Sequence, residues 1–116
     1  MALKFEDLRV LQAAEGVADD MWNIVLSWGA FAKDSVGKQA VRAVDSIGAN
    51  IAEAYGRYHY GEKLQLIYYA RGSIFETKYW LNRGQARGLF NPNQFQQLSN
   101  SLSKLAQQLN SLANKT

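Results

Sequence analysis

Asn91-Pro92-Asn93-Gln94-Phe95, continued by Leu98, Leu102, Leu105, Leu109 and Leu112, decides the fold of this 116-residue chain. The asparagine is placed to cap a helix. The proline takes the first helical position, where its missing N–H is no loss, and the glutamine completes a capping box. From Phe95 onward the apolar residues recur at alternating spacings of three and four, the seam of a helix packed in a bundle. The other faces carry Gln, Asn and Ser and read as solvent-facing, so a helix over about 92–113 needs partners for a single stripe.

Working back towards the N-terminus, Gly88 closes a stretch at about 61–87 whose main apolar arc is Leu64, Ile67, Tyr68, Ile74, Phe75 and Leu81. Gly56 ends another at about 34–56, which starts at Asp34 or Ser35 as N-cap and places Val36, Ala40, Ala43, Ile47, Ile51 and Ala54 on one face. The first, about 5–28, ends at Gly29 and shows Leu8, Leu11, Glu15, Ala18, Trp22 and Val25 at helical spacing. Pro92 is the only proline, and no run alternates apolar with polar residues as a strand would. Four helices of matched length with short joints predict an all-α, antiparallel up-down-up-down four-helix bundle, one domain over 1–116. Glycines 29, 37, 48, 56, 61, 72, 84 and 88 read as helix ends and close contacts, since none forms a phosphate-cradling loop after a strand.

Composition narrows the function. Apolar residues make up 47% and charged residues 20% of the chain, a globular balance that excludes a disordered tail. Cysteine is absent, which removes disulfides and thiol chemistry and agrees with a reducing cytoplasm. The residues after Met1 turn acidic at Glu6 and Asp7, unlike a signal peptide, and no apolar run is long enough for a membrane span. A cytoplasmic protein with no membrane partner is expected.

His59 is the only histidine, and no acidic residue falls into a metal-ligand motif such as Glu-x-x-His. Neither a catalytic residue nor a metal site nor a cofactor is therefore expected. The net charge of +3 is unevenly spread: residues 1–34 hold three basic and six acidic side chains, residues 35–116 ten basic and four acidic. A basic second half attracts phosphate polymers. Lys38, Arg42, Arg57, Lys63, Arg83 and Arg87 are the candidate phosphate contacts. Tyr58-His59-Tyr60, beside Arg57 and Lys63, is either a stacking site for unpaired bases or a polar loop of packing aromatics.

Two features exceed what a bundle core needs. Leu66, Tyr69 and Trp80 fall opposite the main arc of the third stretch, and such surplus apolar surface marks an oligomer interface unless the core is simply wide. Arg71 and Lys78 project into the apolar arc itself, where charge must be answered. Ser46, Asn50, Glu53 and Arg57 form a polar stripe on the preceding helix that is placed to answer it, with Glu53 and Arg71 as the preferred pair of a structural polar network.

Ser46-Ile47-Gly48-Ala49-Asn50-Ile51-Ala52-Glu53-Ala54-Tyr55-Gly56-Arg57, followed by Ala70-Arg71-Gly72-Ser73 and Glu76, resembles the signature of the four-helix-bundle proteins named after 23S rRNA intervening sequences. The opening Phe5-Glu6-Asp7-Leu8 resembles how members begin, and the resemblance covers roughly residues 4–90. It implies a bundle assembling into a ring-like homopentamer. A similar bundle is the accessory protein of diversity-generating retroelements, thought to engage a reverse transcriptase and nucleic acid. Gly48 stands where that pattern has proline, Ala54 where it has glycine, and the Phe-Pro between the first two helices is missing around Gly29 to Asp34. Without that proline the second helix should be straighter.

Two functions follow. The leading one is a non-enzymatic, oligomeric module that binds RNA, or less readily DNA, through sequence-independent phosphate contacts. The other is an oligomeric scaffold for a protein partner such as a reverse transcriptase, docked on Tyr69 and Trp80.

Overall fold

The computed structural model describes residues 7–116, so the expected helix start at Phe5 and Glu6 lies outside the described residues. Four helices succeed one another, with no strand among the described residues. These are α1 (Leu8–Leu26), α2 (Ala30–Ala32, Lys33–Gly37 and Lys38–Gly56 wound without a break), α3 (Tyr60–Ala86) and α4 (Pro92–Lys115). α1 packs on α2 and α4, and α3 packs on the same two, so α1 and α3 stand at opposite corners of a bundle of 45 × 23 × 19 Å. None of the helices is long and apolar enough to cross a membrane among the described residues.

α2 begins earlier than Asp34 and Ser35 predict. Gly29 takes an extended N-cap conformation, Lys33 N–H donates to its carbonyl at 2.9 Å, and no proline stops the chain from re-entering a helix at once. Ser35 does not cap; its hydroxyl donates back to the Phe31 carbonyl at 2.6 Å. The irregularity is taken up as a π-helical turn over Lys33–Gly37, wider than its α-helical flanks. A Cβ at Gly37 would lie 2.7 Å from Val25 Cγ1, so this wide turn can press against α1 only because residue 37 is glycine.

The α3–α4 joint follows the sequence reading closely. Gly88 adopts φ +75, the left-handed conformation that favours glycine after a helix end, and Leu89 N–H donates to the Gly84 carbonyl at 2.9 Å. The Asn91 side chain accepts from Gln94 N–H at 2.8 Å, while the Asn91 N–H donates to the Gln94 side chain at 3.0 Å. This reciprocal cap contributes about 1 kcal/mol.

The predicted seams of α2 and α4 are the core seams. Ala40, Ala43, Ile47, Ile51 and Ala54 of α2 and Leu98, Leu102, Leu105, Leu109 and Leu112 of α4 all turn inward, and none of these ten is more than 1% exposed. At about 1.5–3 kcal/mol per buried leucine, the α4 seam outweighs the weak intrinsic helicity of its Asn- and Ser-rich faces. α1 is turned relative to expectation. Its core face is Val10, Ala14, Val17, Ala18, Met21 and Val25, so Ala18 and Val25 of the predicted face are buried, whereas Leu8, Glu15 and Trp22 are exposed.

α3 is turned as well. Ile67, Ala70, Ile74, Thr77 and Leu81 enter the core, and the Thr77 hydroxyl donates to the Ser73 carbonyl at 2.7 Å. Tyr68 and Phe75, expected inside, are exposed. Leu66, expected at an interface between subunits, is buried in the core of its own subunit. Apolar side chains surround the whole circumference of α3, so periodicity alone leaves its phase undetermined.

Candidate nucleic-acid interface

The six candidate phosphate contacts do not form one patch. Lys38 and Arg42 are exposed in the first turns after the π segment of α2. With Lys33, Asp34, Gly37 and Val41, and with Trp22, Val25 and Leu26 of α1, they line a groove of about 500 Å³. Arg87 is exposed at the end of α3 and lines a neighbouring groove of about 440 Å³ with Phe31, Ala32, Ser35, Val36 and Leu89. Arg83 is half-buried one turn before it. These cations gather around the Ala30–Gly37 end of the bundle.

Arg57 and Lys63 belong elsewhere. Arg57 lies fifteen residues beyond Arg42, about 22 Å along the helix. It is held by Glu53 across one helical turn at 3.5 Å. Lys63 is buried, so it is no phosphate contact. Tyr58 and His59 meet edge to face at 5.3 Å in the exposed α2–α3 joint, well away from the cationic end.

The surface is polarised along the α1–α2 side. Beyond the basic groove, Leu11, Ala14, Glu15, Ala18, Val44, Asp45, Gly48, Ala49 and Ala52 line a second trough of about 300 Å³. Burial first, and then the neighbouring charge of Asp19, push the Asp45 carboxyl above its ordinary value of 3.8. This side is therefore basic at one end and acidic along its middle.

The expected polar network does not assemble. Glu53 pairs with Arg57 rather than Arg71, Asn50 donates to the Ser46 carbonyl at 2.8 Å, and the Ser46 hydroxyl donates to the Arg42 carbonyl at 3.0 Å. All three interactions stay within α2 and its C-cap residue Arg57, and none reaches α3. With α3 turned outward, Arg71 is exposed and Lys78 only half-buried. Arg71 donates to Asn110 Oδ1 of α4 at 3.1 Å and lies 5.0 Å from the Tyr68 ring centre, and Lys78 lies 5.7 Å from that of Phe75.

Of the three interface candidates, Leu66 leaves the surface, whereas Tyr69 and Trp80 lie about three turns apart on one side of α3. Leu66 is internal, Tyr69 is exposed and accepts from Gln65 at 2.8 Å, and Trp80 packs partly on the core while its ring N–H faces Glu76 at 3.4 Å. The apolar stripe that α3 does present consists of Tyr68, Phe75 and Tyr79, on the side away from Ala70 and Thr77.

Trp22 and Lys33 are the groove residues that sequence reasoning missed. Helical spacing places Trp22 on the predicted apolar face of α1, and Glu15 on that same face is the signal against it. Lys33 sits in what reads as a joint, and only the early start of α2 brings it to the groove.

Such a fold and surface define a small helical-bundle protein with a basic end. The chain belongs to the 23S rRNA-intervening sequence protein family, whose model matches residues 6–111. A solved structure of a protein of unknown function from the S23 ribosomal protein family of Bacteroides thetaiotaomicron has a TM-score of 0.87 to it at 23% identity, covering 95% of this chain and 99% of that one. At that identity the likeness is one of fold. No curated protein matches the chain.

Proposed function

We propose that the protein is a non-enzymatic, cytoplasmic module that binds nucleic acid, RNA in preference to DNA, through sequence-independent phosphate contacts. The carrying observation is the gathering of Lys33, Lys38, Arg42 and Arg87 at one end of the bundle, where none has an ion-pair partner among the described residues. Charges left uncompensated in this way are available to phosphates, whose neutralisation releases counterions. The family name, with its reference to a 23S rRNA intervening sequence, supports RNA as the ligand.

The working unit in this proposal is a ring-like homopentamer of antiparallel up-down-up-down bundles. The exposed stripe of Tyr68, Phe75 and Tyr79 supports it, because a monomer leaves this aromatic surface in water. The same stripe favours a second reading, a scaffold for a protein partner such as a reverse transcriptase.

The test is light scattering with absorbance at two wavelengths across the eluting peak, followed by titration with an RNA duplex at several salt concentrations. Affinity should fall steeply with salt. Charge reversal at Lys38 and Arg42 together should lower both the affinity and the steepness of that fall. An oligomer that binds neither duplex nor single-stranded RNA at low salt would reject the nucleic-acid reading and leave the scaffold.

A further inference from the structure

The basic groove is more than a charged surface. Trp22 is not among the buried residues of α1, which are Val10, Ala14, Val17, Ala18, Met21 and Val25; about half of its surface (52%) is exposed, and it lines the groove. Val25, Leu26 and Val41 add apolar wall, and Lys33, Lys38 and Arg42 stand on the rim against a single acid, Asp34. A volume of about 500 Å³ falls in the range that holds a small ligand. The π turn that forms one side is held against α1 by the close approach of Gly37 to Val25, and single π turns in helices occur frequently at functional sites.

Resting on the nucleic-acid reading above, we propose that this groove is a stacking site for an unpaired base of a single-stranded nucleic acid, with Trp22 as its platform and Lys33, Lys38 and Arg42 as its phosphate contacts. An indole with an open face beside cations is the chemistry that binds single strands: the ring takes the π-face that any base offers and the cations follow the backbone. A base inside a duplex keeps both faces against its neighbours and has none to give, so the groove favours single strands. The acidic middle of the α1–α2 side, with Glu15, Asp19 and Asp45, turns the backbone away from α1. The open direction is towards Arg87, whose groove carries the exposed ring of Phe31.

The test compares an adenine hexanucleotide with a blunt RNA duplex on the full chain. Binding of the hexanucleotide should quench tryptophan fluorescence. Trp22→Ala should abolish most of that quenching and weaken hexanucleotide binding about 10-fold, with duplex affinity, helicity and molar mass unchanged. Trp22→Phe should retain most of the hexanucleotide affinity. Unchanged hexanucleotide binding in Trp22→Ala, alongside loss in a Lys38→Glu, Arg42→Glu variant, would overturn the stacking site and leave the phosphate-binding reading standing. A fall in molar mass on Trp22→Ala would also overturn it, by assigning the groove to a contact between subunits. Failure of wild-type protein to bind either RNA at low salt would overturn both.

Discussion

The ring of Phe90 lies on Gly84 so closely that a Cβ at residue 84 would come within 2.9 Å of Phe90 Cδ2. Phe90 in turn meets Trp28 edge to face at 5.1 Å, which ties the α3–α4 joint to the end of α1. Gly84→Ala should therefore destabilise the protein, although alanine is the better helix former, because overpacking at about 1–3 kcal/mol exceeds the roughly 1 kcal/mol that alanine gains in propensity. The urea midpoint should fall without a change in the slope of the transition. Phe90→Leu in the Gly84→Ala background should be less harmful than the two single effects added, since the residues are in contact.

Tyr55 gives a second test. Its hydroxyl is buried with no hydrogen-bond partner among the described residues, and burial, then the charge of Asp7, push its pKa up to about 12 from 10.0. A raised folded-state value means that the fold favours the neutral phenol. That contribution is fully present below pH 10.0, the unfolded value, and is lost as pH rises through about 12. Ultraviolet titration should show one tyrosine ionising late. Tyr55→Phe should flatten the alkaline fall in stability and, because the hydroxyl is unsatisfied, should leave the protein at least as stable at neutral pH.

How far the sequence could be read depended on how unequal the faces of each helix are. α2 and α4 confine their large apolar residues to one stripe, and every residue predicted for the interior of those stripes is buried apart from Phe95, which is half-buried near the start of α4. α1 and α3 carry large apolar side chains on more than one face, so two phases satisfy the helical period and the tertiary contacts decide between them. That one ambiguity accounts for several misplacements together: Trp22 in the core, Leu66 at an interface, and Arg71 and Lys78 buried with Glu53 as partner. The candidate site suffered differently. Sequence identified the cations but not their distances, and only the folded helices separate Lys38 and Arg42 from Arg57 or reveal Lys63 as buried.

Asp45 is the acid whose removal should help. Burial and Asp19 together disfavour its ionised form, so stability conferred at low pH is lost as pH rises from 3.8 through its raised folded value. Asp45→Asn should raise the melting temperature at neutral pH, and the gain should shrink as the solution is acidified and the wild-type carboxyl takes up its proton. Asp45 is largely exposed, so solvent screening holds the effect to on the order of 0.5 kcal/mol. Thermal melts of both proteins across an acid-to-neutral series provide the measurement.

The ring proposal makes the last prediction, and it turns on surface that the subunit itself does not need. A ring closes through heterologous contacts, in which one face of a subunit meets a different face of the next. Phe75 and Tyr79 are 61% and 55% exposed in the subunit, so replacing them costs the fold little, within about 0.5 kcal/mol each. They should cost the assembly much more, because exposed aromatic residues are the usual anchors of an interface. A Phe75→Glu, Tyr79→Ser variant should thus keep its helicity and melting behaviour at low concentration while its light-scattering mass falls to that of one chain. A variant that keeps its mass would remove this stripe from the interface. A wild-type protein that is itself monomeric would remove the ring and leave Tyr68, Phe75 and Tyr79 as the docking surface for a different protein.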